Sequence, residues 1–137
     1  MKEEKLSAVY WDASALLSVL FKDSHSHEAI KWSQKQGMHL VSTLAYAEVC
    51  AVIARLQKDR IIAKVIAQAA FEALEQGPWR RLNLMPAWKD IKNLSYEGSL
   101  RGADLWHLAA VKTLQQQLPE LIMLTFDKRL QTAQSEL

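Results

Sequence analysis

Cysteine and long apolar runs are scarce in this chain, and each shortage excludes a class of protein. Only Cys50 is a cysteine among 137 residues, so an internal disulfide is impossible, and no Cys or His stands at zinc-finger spacing from it. The longest uncharged apolar run, 13–21, falls well short of the roughly 18 residues that indicate a membrane-spanning helix. We therefore expect no disulfide framework, no structural zinc site and no membrane span.

A signal-peptide pattern, an internal repeat, a low-complexity tract and a linker are also absent. Residues 1–6 are rich in charge and carry no cleavage pattern, which favours a cytoplasmic location. The net charge of +2 indicates no particular partner by itself. Half of the residues are apolar, which is enough for one substantial core, and we predict a single domain over residues 1–137.

Short apolar stretches alternate along the chain with longer segments of helical periodicity. We predict strands at 6–11, 38–41, 80–84 and 121–125, and helices at 13–21, 28–36, 44–57, 60–76, 86–96, 102–118 and 128–134. Asp59 is predicted to cap the fourth helix, and His25 and His27 are interpreted as a solvated helix start. The alternation predicts the α/β class, with a parallel sheet covered by helices on both faces.

Four acidic residues stand alone in otherwise apolar segments. Asp12 directly follows the first predicted strand, Asp127 directly follows the apolar run 121–126 after the last strand, and Asp104 lies in the first turns of a predicted helix. Glu48 lies near the middle of the helix that follows the second strand. Because ligands bind such sheets outside the carboxyl ends of the strands, these positions are candidates for a site.

Each acid also has a purely structural explanation. Asp12 and Asp127 could be N-caps, worth about 1 kcal/mol each, and Asp104 could be favoured by the helix dipole. Glu48 could pair with Arg55 or another base, although its place in the helix offers it neither a cap nor a dipole. Four carboxylates brought together would repel one another unless a cation were present, and hard oxygen ligands suit Mg²⁺ or Mn²⁺.

Four segments, in this order along the chain, resemble the PIN-domain ribonucleases, and most of all the VapC-type toxins of type II toxin–antitoxin systems. These segments are VYWDASALLSVLF, STLAYAEVCAVIAR, RGADLWHLAAV and LTFDKRL. The resemblance implies a PIN-like three-layer α/β/α fold with a central parallel sheet of four or five strands. It also implies a catalytic acidic pocket that binds Mg²⁺ or Mn²⁺ and is formed by Asp12, Glu48, Asp104 and Asp127.

The resemblance extends to residues around this pocket. Ser14 and Thr125 correspond to small hydroxyl residues that support the carboxylates, with helix capping or local turn bonding as the alternative. Trp106 stands where the family more commonly has a small residue, which affects local packing. We interpret His107, three residues after Asp104, as a packing or hydrogen-bonding residue.

The charge that remains outside the pocket is basic. With the four predicted ligands set aside from the 15 acidic residues, 11 acids face 17 bases, a balance of about +6 that suits a polyanion such as RNA. Solvated salt bridges are the alternative for these bases, and the tryptophans are assigned to the core or to subunit contacts. The candidate phosphate contacts that flank the motifs are Arg55, Arg101, Lys128 and Arg129.

Together these features predict a divalent-metal-dependent endoribonuclease that hydrolyses RNA phosphodiester bonds, the toxin of a toxin–antitoxin pair. The alternative is a PIN-like module that binds RNA or protein without cleaving, for which the loss of one or two acids would be expected. An aspartyl phosphatase would need a second acid at position 14, where the chain has Ser14. A receiver domain would need paired acids before Asp12 and a late lysine, neither of which can be placed.

The resemblance also implies two protein partners. Proteins of the VapC type form homodimers and are neutralised by a small antitoxin that covers the acidic pocket. The apolar helical segment 61–74 is a candidate surface for either contact, with simple burial in the core as the alternative.

Overall fold

Four parallel strands form a sheet with β1 and β2 at its centre. The computed structural model describes residues 7–98 and 100–137, and within them the strand order is β3-β2-β1-β4. In the register, Val9 lies opposite His39 on one side and Ile122 on the other. The strands are β1 (Ser7–Trp11), β2 (Gly37–Ser42), β3 (Trp79–Leu82) and β4 (Ile122–Leu124).

Helices cover both faces of this sheet and produce two separate cores. Alternate residues of β1 point to opposite faces: Val9 and Trp11 pack with α1, α2, α3 and α4, whereas Ala8 and Tyr10 pack with α5, α6 and α7. The predicted three-layer α/β/α architecture is therefore confirmed, with four strands. The described helices are α1 (Ala13–Leu20), α2 (Ser26–Ser33), α3 (Thr43–Lys58), α4 (Lys64–Gln76), α5 (Trp88–Ser95), α6 (Gly102–Gln115) and α7 (Lys128–Ser135).

The fourth helix begins later than predicted. Arg60 has a left-handed φ of 59°, and the backbone N–H groups of Ile61 and Ile62 both donate to the Leu56 carbonyl, so this segment is a turn. Asp59 is the C-cap of α3 rather than the cap of the following helix, whose N-cap is Ala63. The structure corrects the predicted start at residue 60 to residue 64.

Other boundaries differ by a few residues. The third strand lies at 79–82 instead of 80–84, and the second helix at 26–33 instead of 28–36. The fifth helix begins at Trp88, not at Pro86, and the sixth ends at Gln115, ahead of the predicted Leu118. Leu6, predicted to begin the first strand, lies outside the described residues.

One group of exposed apolar residues lies on α4 and in the turn before it. Ala67, Ala70 and Leu74 pack into the core, whereas Ile61, Val65 and Ile66 are exposed, so the predicted segment divides between the two alternatives. Met85, Tyr96 and Trp88 are exposed elsewhere on the surface. Trp88, at 83% exposure, is not part of the core, so only the subunit contact remains of the two places predicted for the tryptophans. Within residues 7–98 and 100–137, no helix has the length and apolar character needed to cross a membrane.

The strand order places a reversal of chain direction between β1 and β4. From β1 the chain moves outward to β2 and β3, and it then crosses back to β4 on the other side of β1. The Asp12 backbone N–H donates to the Leu124 carbonyl at 3.2 Å, which ties the two carboxyl ends together. In parallel α/β sheets this switch point is where the crevice for a ligand forms.

Candidate active site

Asp12, at the end of β1, is the most firmly held of the predicted acids. It is the N-cap of α1, and its Oδ1 accepts hydrogen bonds from the Ala15 backbone N–H at 2.9 Å and from Ser14 Oγ at 2.7 Å. Its Oδ2 accepts a bond from Thr125 Oγ1 on the far side of the switch point. The carboxylate is thus a helix cap, and it also links the end of β1 to the residues that follow β4.

The bonding of Asp12 leaves limited room for a further ligand. A carboxylate offers roughly four lone pairs, three of which are taken by the described bonds, so one remains on Oδ2. Burial raises the pKa of Asp12, and the bonds from Thr125, Ala15 and Ser14 oppose that rise. An additional positive charge at Oδ2 would favour the ionised form further.

Several hydrogen bonds hold the turn after β4 in place. Thr125 Oγ1 accepts from the Asp127 backbone N–H at 3.1 Å, and the Phe126 backbone N–H donates to Ser14 Oγ at 3.0 Å. Asp127 is the N-cap of α7, and its Oδ1 accepts from the backbone N–H groups of Arg129 and Leu130. The two supporting hydroxyls therefore connect the Asp12 carboxylate to the backbone that carries Asp127.

Asp104 lies in the first turn of α6, and its surroundings disfavour its ionised form. Partial burial raises its pKa, and repulsion from Asp127 and Glu48 raises it further, against the attraction of His107 and Arg101. The negative charges of Asp127 and Glu48 thus oppose the ionisation of Asp104. An arrangement of like charges that disfavours ionisation is the one that a bound cation stabilises.

The base that pairs with Glu48 is His107, not Arg55. His107 Nε2 lies 2.6 Å from Glu48 Oε1, and His107 Nδ1 lies 2.6 Å from the Tyr10 hydroxyl. Tyr10 in turn donates to Ser42 Oγ at 2.8 Å. A continuous chain of bonds thus runs from Ser42, the cap of α3, through Tyr10 and His107 to Glu48.

The inner part of this chain is buried. Tyr10, Ser42 and His107 are each at most 2% exposed, and burial raises the pKa of the Tyr10 phenol, which remains neutral. Trp106 stands edge-on to the His107 imidazole, with 5.6 Å between ring centroids. The bulky ring beside the site therefore packs against the histidine that contacts Glu48.

Three of the four candidate phosphate contacts lie beside the acids. A cleft of about 300 Å³, here named the phosphate cleft, is lined by Arg101, Asp104, Asp127, Lys128 and Arg129. Arg55 stands apart, because it follows Glu48 by seven residues on α3, which is about two helical turns or 10 Å. The structure thus brings basic and acidic side chains together at one opening and leaves Arg55 outside it.

This chain matches the model of one known protein family over most of its length. A family model described as the PIN domain matches residues 9–135. The chain belongs to the PIN domain family. No curated protein sequence matches it, but solved structures resemble it.

Two crystal structures resemble this PIN domain over nearly its whole length. Mycobacterium tuberculosis VapC20, a sarcin–ricin loop cleaving toxin, is 15% identical with a TM-score of 0.62, covering 92% of this chain and 95% of its own. PAE2754 from Pyrobaculum aerophilum is 16% identical with a TM-score of 0.61, covering 93% of this chain and 79% of its own. At these identities the likeness establishes the shared fold.

A third similar structure contains a toxin–antitoxin pair. VapBC2 from Rickettsia felis, bound to a DNA fragment from its promoter, is 12% identical with a TM-score of 0.58, and the match covers 85% of this chain and 97% of the other. Here too the likeness is one of fold.

The carboxylate oxygens of the four predicted acids are ligands of the kind that divalent cations prefer. In the described part of the chain, however, the acids do not stand close enough together to form a coordination shell. Over residues 7–98 and 100–137, no group of three or more His, Cys, Asp or Glu side chains stands close enough to hold a metal ion. The family generally uses divalent metals, and carboxylate oxygens are the donors that Mg²⁺ and Mn²⁺ prefer. The mutual repulsion at Asp104 and the free lone pair of Asp12 fit such an ion.

Tyr10 and Ser42 were not identified as site residues from the sequence. Tyr10 lies in the predicted strand 6–11, which the structure confirms as part of β1, and Ser42 is the N-cap of α3. Both also belong to the hydrogen-bonded chain that ends at Glu48. A signal was present in the alternation of β1, because Tyr10 faces the helix that carries His107. A buried phenol needs a hydrogen-bond partner, and that helix supplies one.

Proposed function

We propose that this PIN domain, as a single domain, is a divalent-metal-dependent endoribonuclease that hydrolyses RNA phosphodiester bonds. The observation that carries the proposal is the phosphate cleft, where repelling carboxylates meet three basic side chains. A cleft of this composition attracts an anionic backbone and also holds the acids that would bind a cation at the scissile bond.

The acids have distinct roles in this mechanism. Asp12, Glu48, Asp104 and Asp127 would hold Mg²⁺ or Mn²⁺. When bound, the ion supplies Lewis acidity, which lowers the pKa of water and neutralises charge on the attacked phosphate. Ser14 and Thr125 keep Asp12 oriented, and His107 fixes the position of Glu48.

The basic residues bind and orient the substrate. Arg101, Lys128 and Arg129 contact RNA phosphates on either side of the scissile bond, so the chain is drawn across Asp104 and Asp127. Arg55, which lies farther along α3, contacts RNA only at a distance from the cleavage position. The acids themselves hold charge rather than exchange protons with the substrate, so no nucleophilic side chain is required.

We also propose that the protein acts in the cytoplasm as the toxin of a toxin–antitoxin pair. VapC20 is a toxin that cleaves the sarcin–ricin loop, and VapBC2 was crystallised with promoter DNA, which supports both RNA cleavage and an antitoxin partner. The exposed residues Ile61, Val65 and Ile66 provide an apolar surface for a homodimer or for that antitoxin.

The decisive experiment incubates the purified protein with total cellular RNA in Mg²⁺, in Mn²⁺ and in chelator. Asp12→Asn and Asp104→Asn are compared with Asp59→Asn, a control at an exposed acid outside the site. We expect defined fragments that require metal and both site aspartates. Unchanged cleavage in both site variants would refute the mechanism, and tight RNA binding without cleavage under any metal would favour the non-cleaving module.

A further inference from the structure

A second cleft opens beside the phosphate cleft and shares one wall with it. Its volume is about 370 Å³, within the roughly 300–1,000 Å³ that is typical of small-ligand sites. Asp127 lines both clefts, so a ligand in one lies next to a ligand in the other. We name this second site the aromatic cleft, lined by Ser14, Leu17, Ser18, Asp23, His25, Phe126 and Asp127.

The distinguishing feature of the aromatic cleft is a stacked pair of rings. The His25 imidazole lies parallel to the Phe126 ring, with 4.4 Å between centroids and 5° between planes. Phe126 is half-buried and covers one face of the imidazole, yet His25 is exposed, so the imidazole remains accessible away from Phe126. An open aromatic face is the surface on which nucleobases stack.

The loop that carries His25 is held in place by its own hydrogen bonds. Asp23 Oδ1 accepts from the His25 backbone N–H at 2.8 Å, and Asp23 Oδ2 accepts from Ser18 Oγ at 2.8 Å. Ser26 Oγ donates to the Phe21 carbonyl at 2.9 Å. The ring of His25 is therefore presented by a braced loop, which reduces the entropy lost when a ligand stacks on it.

Phe126, the other ring, is tied to the acidic site. Its backbone N–H donates to Ser14 Oγ, the hydroxyl that also donates to Asp12 Oδ1. A group stacked on this pair is thus placed in fixed relation to the carboxylate at the switch point.

The charge of the aromatic cleft selects for a base over a phosphate. Its lining contains two carboxylates, Asp23 and Asp127, and neither Lys nor Arg, so it repels a phosphate group. Carboxylate oxygens accept hydrogen bonds from the exocyclic amino groups of bases, as they do from cytosine N4. Phosphate and base therefore have separate complementary sites on the two sides of Asp127.

We propose that the aromatic cleft is a nucleobase subsite, in which a base of single-stranded RNA stacks on His25 next to the cleaved phosphate. This inference rests on the proposed ribonuclease function. It predicts that the base beside the scissile bond contributes to affinity, and that one carrying an amino group is preferred.

The test uses His25→Ala, His25→Phe and a matched control, His27→Ala, which changes an exposed histidine two residues away, in the first turn of α2. His25 makes no side-chain cap bond to α2, so its replacement leaves the helix cap intact. Binding of fluorescent poly(C) and poly(U) is measured by anisotropy in the Asp12→Asn background, together with oligoribonucleotides that carry one abasic position. Steady-state cleavage is measured in the otherwise unchanged chain.

We expect His25→Ala to weaken RNA binding and raise KM by about tenfold or more, with kcat little changed and sensitivity to the abasic position lost. His25→Phe should retain tight binding because it keeps an aromatic face, and His27→Ala should match the parent. Poly(C) should bind more tightly than poly(U). Equal binding of poly(C) and poly(U) would overturn the carboxylate contact.

The two proposals fail in different ways. If the parent cleaves RNA and His25→Ala leaves its Kd, KM and abasic sensitivity unchanged, the nucleobase subsite is overturned and the ribonuclease stands. If the parent cleaves no RNA with any metal, the ribonuclease is overturned, whereas the abasic scan still reports whether His25 receives a base.

Discussion

His107 Nε2 contacts Glu48 Oε1 at 2.6 Å, joining two helices whose contacting residues are 59 positions apart in the chain. Glu48 is about one third exposed, whereas His107 is buried. The contact therefore anchors a partly solvated carboxylate to a rigid interior group. Further hydrogen bonds, between His107 and Tyr10 and from Tyr10 to Ser42, connect this contact to the neighbouring strands β1 and β2.

The contact between Glu48 and His107 should contribute to the free energy of unfolding. In a double-mutant cycle of Glu48→Gln and His107→Ala, we expect a coupling free energy of about 1–2 kcal/mol, because the bond involves a charged group but is partly solvated. Urea unfolding at neutral pH measures it. A parallel cycle of Glu72→Gln with His107→Ala should be additive, because Glu72 is exposed on α4, across the sheet. Additivity in the first cycle would contradict the anchor.

A second prediction isolates the Tyr10 hydroxyl. Tyr10→Phe keeps the buried ring but removes the bonds to Ser42 and His107, so we expect a loss of about 1–3 kcal/mol in the free energy of unfolding. Tyr96→Phe, at an exposed phenol, should leave the stability unchanged. Equal stability of Tyr10→Phe and the parent would show that the buried chain contributes nothing.

Thr125 provides a test of how Asp12 is held. Thr125→Val removes the hydroxyl that donates to Asp12 Oδ2 but keeps the shape of the side chain. Loss of such a supporting bond commonly lowers metal affinity by about 10- to 100-fold, and we expect this range for Mn²⁺ binding measured by calorimetry. Thr125→Ser, which keeps the hydroxyl, should restore affinity. Identical Mn²⁺ affinity in the valine variant would separate Thr125 from the metal site.

The raised pKa of Asp104 predicts a pH-dependent stability. A carboxyl whose folded pKa lies above its ordinary 3.8 favours the folded state when protonated and loses that contribution as pH rises through the folded pKa. In chelator, Asp104→Asn should therefore gain stability over the parent as pH rises from below 3.8 toward neutrality. Thermal unfolding of both proteins across this range measures the difference.

Two outcomes bear on this pH prediction. Added Mn²⁺ should remove the advantage of Asp104→Asn near neutral pH, because the ion stabilises the ionised carboxylate in the parent. A stability difference that is constant with pH would contradict the electrostatic origin of the shift.

The exposed face of α4 predicts self-association. Val65→Glu places a charge among Ile61 and Ile66, and we expect it to convert a homodimer into monomers in sedimentation velocity experiments without lowering the melting temperature of the monomer, because Val65 is exposed. Asn93→Glu adds the same charge at an exposed polar position of α5, on the other face of the sheet, and should leave the dimer intact. A parent that sediments as a monomer would contradict a homodimer formed through this face.

Local features of the sequence predicted most of the fold. The isolated positions of Asp12 and Asp127 mark the ends of two strands, because a charged residue ends an apolar run and caps the helix that follows. The start of α4 was missed because the left-handed φ of Arg60 and the turn that closes on Leu56 leave no clear trace in residue periodicity. The exposure of Trp88 likewise depends on which surface its helix presents.

The sequence by itself determined the α/β class, the family resemblance and the places of four isolated acids, three at strand ends or a helix start and Glu48 within a helix. These depend on periodicity and on residues close together in the chain. Only the tertiary structure decided that Glu48 pairs with His107 and that His25 stacks on Phe126. Such contacts depend on the order of strands in the sheet and on the packing of helices against it, which bring together side chains that no local pattern connects.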